Sequence, residues 1–343
     1  MRRVTRTFAV AALATALAVV TGCSSDEPEE TGNNAGSGEL VKVTYLTSFG
    51  AFGRDAYAHV ALEKGFFREA GFDVTIQKGQ GTGGNIKLVV TGQADYTPID
   101  LTGGLLSFGQ PDASKDFTVV AAIQQRTMAA IASTADKGIK TPKDLEGKKL
   151  ADTPGSVVRN LFPTYAKLAN IDYNKVDWQD GQAAELIGTL ASGKVDGIGQ
   201  FVVGRPTIAA VTKKEPTFLP YSDYLTDLYG NVLATSTKNA KEKPEEVKRF
   251  TGALLKGLEY SLANPQEAAT ILKKYEPATV EAAAKAEIEL MASFVRSAGS
   301  GEKVGTIDTQ RVARSIAILQ GAGQIPAGIT PEQIISVDLL PKV

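Results

Sequence analysis

From Leu40 onward the chain alternates short β-branched runs with helical runs, and this alternation most narrows the folds open to it. Residues 41–47 alternate in the manner of a strand. Residues 57–70 carry helical apolar spacing through Tyr57, Ala61, Leu62 and Phe66, then stop near Gly71. Residues 72–77 read as a strand, 86–90 as a helix, 94–99 as a strand, 103–108 as a helix and 117–123 as a strand. The same order returns with a strand at 148–152, a helix at 157–169, a strand at 175–179, a helix at 183–191 and a strand at 195–201. Strands alternating with helices predict an α/β architecture with mainly parallel sheets, here in two blocks.

The blocks echo each other. Gly79-Gln80-Gly81 leads through a helix to Gly92-Gln93-Ala94-Asp95, and Gly181-Gln182-Ala183 leads through a helix to Gly193-Lys194-Val195-Asp196. Glycine in each helix-to-strand turn supplies a left-handed C-cap. Convergent turn chemistry and two lobes of one design both account for the echo. Residues 128–133 and 230–236, short and β-rich, read as connections between the lobes. Beyond them the chain is helical at 244–262, 265–275, 280–295 and 309–322, with Lys243-Pro244-Glu245-Glu246 as a helix start.

Ahead of the folded region, Arg2, Arg3 and Arg6 precede an apolar run over residues 8–20, the layout of a signal peptide. The run ends at Val20-Thr21-Gly22-Cys23, which resembles a bacterial lipobox; Cys23, the sole cysteine, would take the lipid. Residues 24–38 are polar and acidic and read as a flexible tether. Losing residues 1–22 removes three arginines and shifts the net charge from −1 to −4. That balance argues against a nucleic-acid partner, which needs a basic surface against phosphate.

Ala61-Leu62-Glu63-Lys64-Gly65-Phe66-Phe67, followed by Ala70-Gly71-Phe72-Asp73-Val74, resembles the opening signature of substrate-binding proteins of the nitrate, sulfonate and taurine type and of the thiamine-pyrimidine type. The two Gly-x-x-Asp stretches and Leu145-Glu146-Gly147-Lys148 match later landmarks of that family. The resemblance spans about residues 41–240. It implies a type II periplasmic-binding-protein fold, two α/β lobes joined by two hinge crossings. Lobe 1 is then discontinuous, at 40–130 and 234–343, and lobe 2 runs over 131–233, behind a leader at 1–22 and a lipidated tether at 23–39. The implied job is solute capture for an ABC permease and its ATPase, by a monomer at the extracytoplasmic face of the membrane, with no cofactor.

In such sheets ligand sits where strand carboxyl ends meet helix N-termini. Phe49, Phe52 and Tyr57, with Tyr96, offer rings to a planar ligand; Phe49 and Phe52 equally suit the core. Arg54 ends the same loop. Gly81, Thr82, Gly83 and Asn85 offer backbone N–H groups at a helix start, or form a plain turn. Asp100 is a ligand acceptor or a helix cap, followed by Thr102. Thr153 and Ser156 open the second lobe's first helix, with Gln179, Asp180, Gln200 and Phe201 facing them. Arg54, Arg126, Arg159 and Arg205 are candidate partners for an anion. His59, the only histidine, reads as a helix-face residue without companion metal ligands.

The aromatic loop favours a nitrogen heterocycle such as a thiamine-pathway pyrimidine or a flavin, with sulfonate, taurine or nitrate as the alternative. A more distant alternative is an enzyme like the thiamine-pyrimidine synthase of the same fold. The asparagine-histidine pair of that enzyme aligns with Arg54-Asp55 here, and its cysteine-rich motif is absent from this sequence.

Overall fold

The computed structural model describes residues 39–225, 227–296 and 303–340. The signal peptide, Cys23 and the tether read at 1–38 lie outside the described residues.

Among the described residues, ten strands build two sheets and two short strands pair beside them. The strands are β1 (Val41–Leu46), β2 (Phe49–Gly50), β3 (Phe72–Gln77), β4 (Gly79–Gln80), β5 (Tyr96–Asp100), β6 (Phe117–Ala122), β7 (Ala129–Thr134), β8 (Lys149–Asp152), β9 (Asp177–Asp180), β10 (Gly197–Phe201), β11 (Pro216–Pro220) and β12 (Asn231–Ser236). The first sheet runs β3-β1-β5-β12-β6, with β3, β1 and β5 parallel and β12 antiparallel to both its neighbours. Read from its far edge, the second runs β9-β8-β10-β7-β11, with β9, β8 and β10 parallel and β7 antiparallel to its neighbours. The two sheets therefore share one plan: second, first and third strand, then the strand arriving from the other sheet, then the fourth.

The echo in the sequence falls on equivalent places in this plan. Gly92 and Gly193 have φ of 72° and 75°, the left-handed turn that glycine enters without a Cβ penalty. A carboxylate follows each glycine and does the same work. Asp95 accepts from the Thr44 N–H of β1 at 2.8 Å, and Asp196 from the Lys149 N–H of β8 at 3.0 Å. Each aspartate thus ties the start of a third strand to its first strand.

Among the described residues, twelve α-helices cover the sheets: α1 (Ala56–Glu63), α2 (Phe66–Glu69), α3 (Thr82–Val90), α4 (Leu101–Phe108), α5 (Val157–Leu168), α6 (Leu186–Ala191), α7 (Arg205–Thr212), α8 (Thr237–Glu242), α9 (Pro244–Ala263), α10 (Pro265–Tyr275), α11 (Glu281–Val295) and α12 (Thr309–Gly321). The single helix expected over 57–70 is two, because Gly65 at φ 77° turns the chain between them. α9 starts on Pro244 with Glu245 and Glu246 in its first turn, as its sequence predicts. It drives Phe250 into the first sheet's core, stacked at 3.9 Å on Tyr96 and 5.0 Å on Phe67. Tyr96 is therefore a core ring. Tyr57 is another, 1% exposed, its hydroxyl bonded to that of Tyr45.

Residues 128–133 and 230–236, expected as connections, are instead almost wholly the strands β7 and β12. The chain changes sheet just ahead of each, over residues 123–128 and 221–230. These two passages lie side by side: Thr127 N–H donates to Leu228 O at 2.8 Å and Asn231 N–H to Gln124 Oε1 at 3.0 Å. Gly230 lets them touch, since a Cβ there would stand 2.4 Å from Arg126 O.

Candidate functional site

The carboxyl ends of β1 and β5 face those of β8 and β10 across a cavity. From the first sheet it is lined by Ser48 and Phe49 after β1, Gly81 and Thr82 at the start of α3, and Pro98 to Asp100 at the end of β5. From the second come Asp152 at the end of β8, Ser156 to Val158 at the start of α5, and Gly199 to Phe201 at the end of β10. Asn231 of β12 completes the wall. The Phe49 and Phe201 rings meet edge to face at 6.4 Å, one from each sheet. The rims also approach closely, a Cβ on Gly83 falling 3.2 Å from Gly155 O. The space enclosed is about 20 Å³, on the order of a single water. A larger molecule enters only when the two sheets part.

Asp100 sits where an extended residue precedes a helix, and its Oδ1 caps α4 by accepting from Gly103 N–H at 3.1 Å. Its own N–H donates to Thr82 Oγ1 at 3.2 Å. Its Oδ2 is buried without a hydrogen-bond partner, and Gln200 Nε2 is in the same condition across the cavity. The capping reading of Asp100 therefore holds for one oxygen, while the other is without a hydrogen-bond partner.

Asp152, absent from the residues expected at the site, is the second carboxylate of the cavity. Its oxygens accept from Thr153 N–H at 2.7 Å and from Ser156 Oγ, and Ser156 Oγ in turn accepts from Arg159 N–H at 3.1 Å. It lies flat against β10, where Gly199 makes room: a Cβ there would fall 2.0 Å from Asp152 Oδ2. Burial pushes the Asp100 carboxyl up to about 7 and that of Asp152 up to about 6.

Folded values above the unfolded ones mean that the unfolded chain loses these protons first. The ligand-free protein is therefore expected to lose stability between about pH 4 and pH 7, by roughly 3 kcal/mol from Asp100 alone. Denaturant midpoints across that range measure this, and Asp100→Asn, which keeps a capping oxygen, flattens the profile. An unchanged slope in the variant would remove Asp100 as its source.

Of the residues expected at the site, Phe49, Gly81, Thr82, Asp100, Ser156, Gln200 and Phe201 come together around the cavity. The others are held elsewhere. Asn85 is fully buried and spent on the backbone: its Nδ2 donates to Thr47 O, Ser48 O and Thr97 Oγ1, and its Oδ1 accepts from Gln80 N–H. Gly83 stands at the rim, Thr102 lies buried one residue inside α4, and Thr153 meets Asp152 through its backbone. Gln179 and Asp180 point to solvent on edge strand β9, bonded to Asp177 and Arg159.

Phe52 and Arg54 form a separate layer behind the cavity. The Arg54 guanidinium is 1% exposed, 4.3 Å from the Phe52 ring and 5.0 Å from the Phe201 ring. Its Nε lies 3.9 Å from Asp55 Oδ2. Glu287 of α11, beside it, accepts from Thr207 Oγ1 of α7 and is pushed up to about 7 by burial, against the field of Arg54. The guanidinium nitrogens of Arg54 have no hydrogen-bond partner, whereas the other candidate arginines are engaged: Arg126 donates to Ser293 O, Arg205 to Pro216 O, and Arg159 pairs with Asp180. His59 is 3% exposed with its ring 5.3 Å from Tyr275, and burial lowers its pKa. Among the described residues no cluster of His, Cys, Asp or Glu is placed to hold a metal ion, and no helix is long and apolar enough to cross a membrane.

Two sheets of one plan, joined by paired crossings and facing each other at their carboxyl ends, define a two-lobed binding-protein fold. Solved structures share it. The alkanesulfonate-binding protein SsuA from Xanthomonas axonopodis pv. citri, bound to MOPS, superposes with a TM-score of 0.69 at 14% identity, over 88% of this chain and 99% of that one. The Candida albicans CA3427 gene product, described as exhibiting the generic periplasmic binding protein structural fold, gives 0.61 at 13% identity, over 87% of this chain and 96% of that one.

The chain belongs to the NMT1/THI5-like family, whose model matches residues 56–268. A formylaminopyrimidine-binding protein from Halalkalibacterium halodurans is 26% identical over 227 residues. That match takes in 63% of this chain and 65% of the relative's length.

Proposed function

We propose that this chain is the solute-binding lipoprotein of an ABC importer. It is held at the extracytoplasmic face of the membrane by lipid on Cys23, closes its two lobes on a nitrogen heterocycle and delivers it to a permease. The observation that carries the reading is the cavity at the carboxyl ends of both sheets. Phe49 and Phe201 supply flat apolar walls from opposite lobes, while Asp100 Oδ2 and Gln200 Nε2 are buried there with nothing to bond. A planar ring with N–H donors on one edge and an acceptor on another fits both demands. The formylaminopyrimidine-binding relative supports a pyrimidine in particular. Capture of this kind needs no catalytic group. Ligand favours closure to the extent that it binds the closed form better than the open one.

Thermal-shift screening against pyrimidines, flavins, sulfonates and nitrate tests the reading. A heterocycle at 100 times its dissociation constant stabilises the fold by roughly 2.7 kcal/mol, a clear rise in midpoint. If only taurine-like sulfonates raise the midpoint, the heterocycle is wrong. Turnover with pyridoxal phosphate would instead reveal an enzyme.

A further inference from the structure

The charge in the cavity is all of one sign. Asp100 enters from the first lobe and Asp152 from the second, at 2% and 1% exposure, and among the described residues that line the cavity there is no Lys, Arg or His. The arginines near the cavity stand off its wall, and the buried guanidinium of Arg54 has no hydrogen-bond partner. Arg54 is held behind the Phe201 ring beside Asp55 and Glu287, and Arg159 pairs with Asp180 at the surface. We infer that the cleft takes its heterocycle as a cation, with the positive edge set between Asp100 and Asp152 and an acceptor turned to Gln200. This assignment deepens the heterocycle-clamp reading above and rests on it.

Two buried carboxylates line one cavity with no cation on its wall, and each is costly to keep ionised there unless a ligand neutralises it. The groups around each are few. Asp100 faces the N–H groups of Thr102 and Gly103 and the Thr127 hydroxyl, with no charged neighbour. Asp152 faces the Ser156 hydroxyl, the N–H of Thr153, the Arg159 charge along α5 and the Tyr221 hydroxyl on its other side. Three outcomes follow for a bound ring. A cation supplies the missing charge and keeps both carboxylates ionised. A neutral ring fills the space but leaves the acids to take up protons. An anion adds a third negative charge to a dry site.

Burial has already raised both acids toward neutrality, so the sign of the pH effect is fixed. Each must lose its proton to meet a cation, and affinity for a cation therefore rises from about pH 5 to about pH 8.

The test is calorimetric titration of the full chain with three 4-aminopyrimidines alike except at position 5, which carries an aminomethyl (cation), hydroxymethyl (neutral) or carboxylate (anion) group. The aminomethyl compound is expected to bind about tenfold or more tighter than the hydroxymethyl one, and the carboxylate compound weakest of all. Its affinity should rise with pH. Asp100→Asn and Asp152→Asn should each narrow the cation-to-neutral ratio, with circular dichroism and melting showing that the variants fold. Equal affinities for the three compounds, the carboxylate bound best, or a ratio unchanged in both variants would overturn the charge assignment and leave the heterocycle clamp standing. If none of the three binds and no other heterocycle raises the melting midpoint, the clamp reading falls and takes the charge assignment with it.

Discussion

Asn85→Leu is expected to cost roughly 3–5 kcal/mol of folding stability, read as a fall in the urea midpoint at unchanged slope. The asparagine is 0% exposed and joins three stretches of chain. Its Nδ2 reaches Thr47 O at 2.9 Å, Ser48 O at 3.1 Å and Thr97 Oγ1 at 2.8 Å, and its Oδ1 receives Gln80 N–H at 2.8 Å. Leucine matches its bulk and answers none of these groups, so several buried polar atoms lose their partner together. This side chain adds to the β2–β4 pairing in fastening the loop that carries Ser48 and Phe49, and heterocycle binding should weaken along with the fold. A loss below about 1 kcal/mol would mean that the four bonds are replaced at little cost.

Gly230→Ala has the second largest expected effect, and it acts on the crossings. A methyl at residue 230 would lie 2.4 Å from Arg126 O and 2.9 Å from Gln124 Cβ, so the obstacle is mainly backbone. One crossing must move off the other. That strains the bond from Leu101 N–H to Gly230 O at 3.0 Å, which leads directly into α4 and the Asp100 cap. A cost of roughly 2–4 kcal/mol is expected. Small-angle scattering should also show a changed radius of gyration for the ligand-free chain, because the two crossings between the lobes touch at this contact. A variant with wild-type stability and scattering would show that the crossings part without consequence.

Much of the fold was legible in the sequence because it is written in periodicity and turn chemistry. Gly92 and Gly193 mark left-handed turns, and the aspartates three residues on bind the same place in each sheet. Residues 128–133 and 230–236 escaped as strands because β7 and β12 are buried on both faces and lack the polar alternation of a half-exposed strand. α7 and β11, over 205–220, were not read at all: Pro206 is the second residue of α7, Pro216 opens β11, and the lysines between them interrupt any period.

The site was legible where strand ends meet helix starts, which brought in Phe49, Asp100, Ser156, Gln200 and Phe201. It failed where direction decides. Gln179 and Asp180 close a strand of the right sheet, yet that strand is the edge and both side chains are exposed. Asp152 escaped for the opposite reason. Nothing local distinguishes it from other aspartates. Only the missing side chain of Gly199, distant in sequence and adjacent in space, shows that a carboxylate was given room there. A glycine inside the strand at 195–201 was the one available signal, since glycine within a strand often marks a close approach.

The position of β7 and β12 has a mechanical consequence. Each arrives from the other lobe and enters its sheet between two strands rather than along an edge. A swing at residues 123–128 and 221–230 therefore carries each sheet as a rigid plate and peels away no ladder. Such a joint works by torsion in a few linking residues, at the pace of hinge motions and far faster than local unfolding would allow. A swing of that kind would bare no strand edge that the sheets now cover.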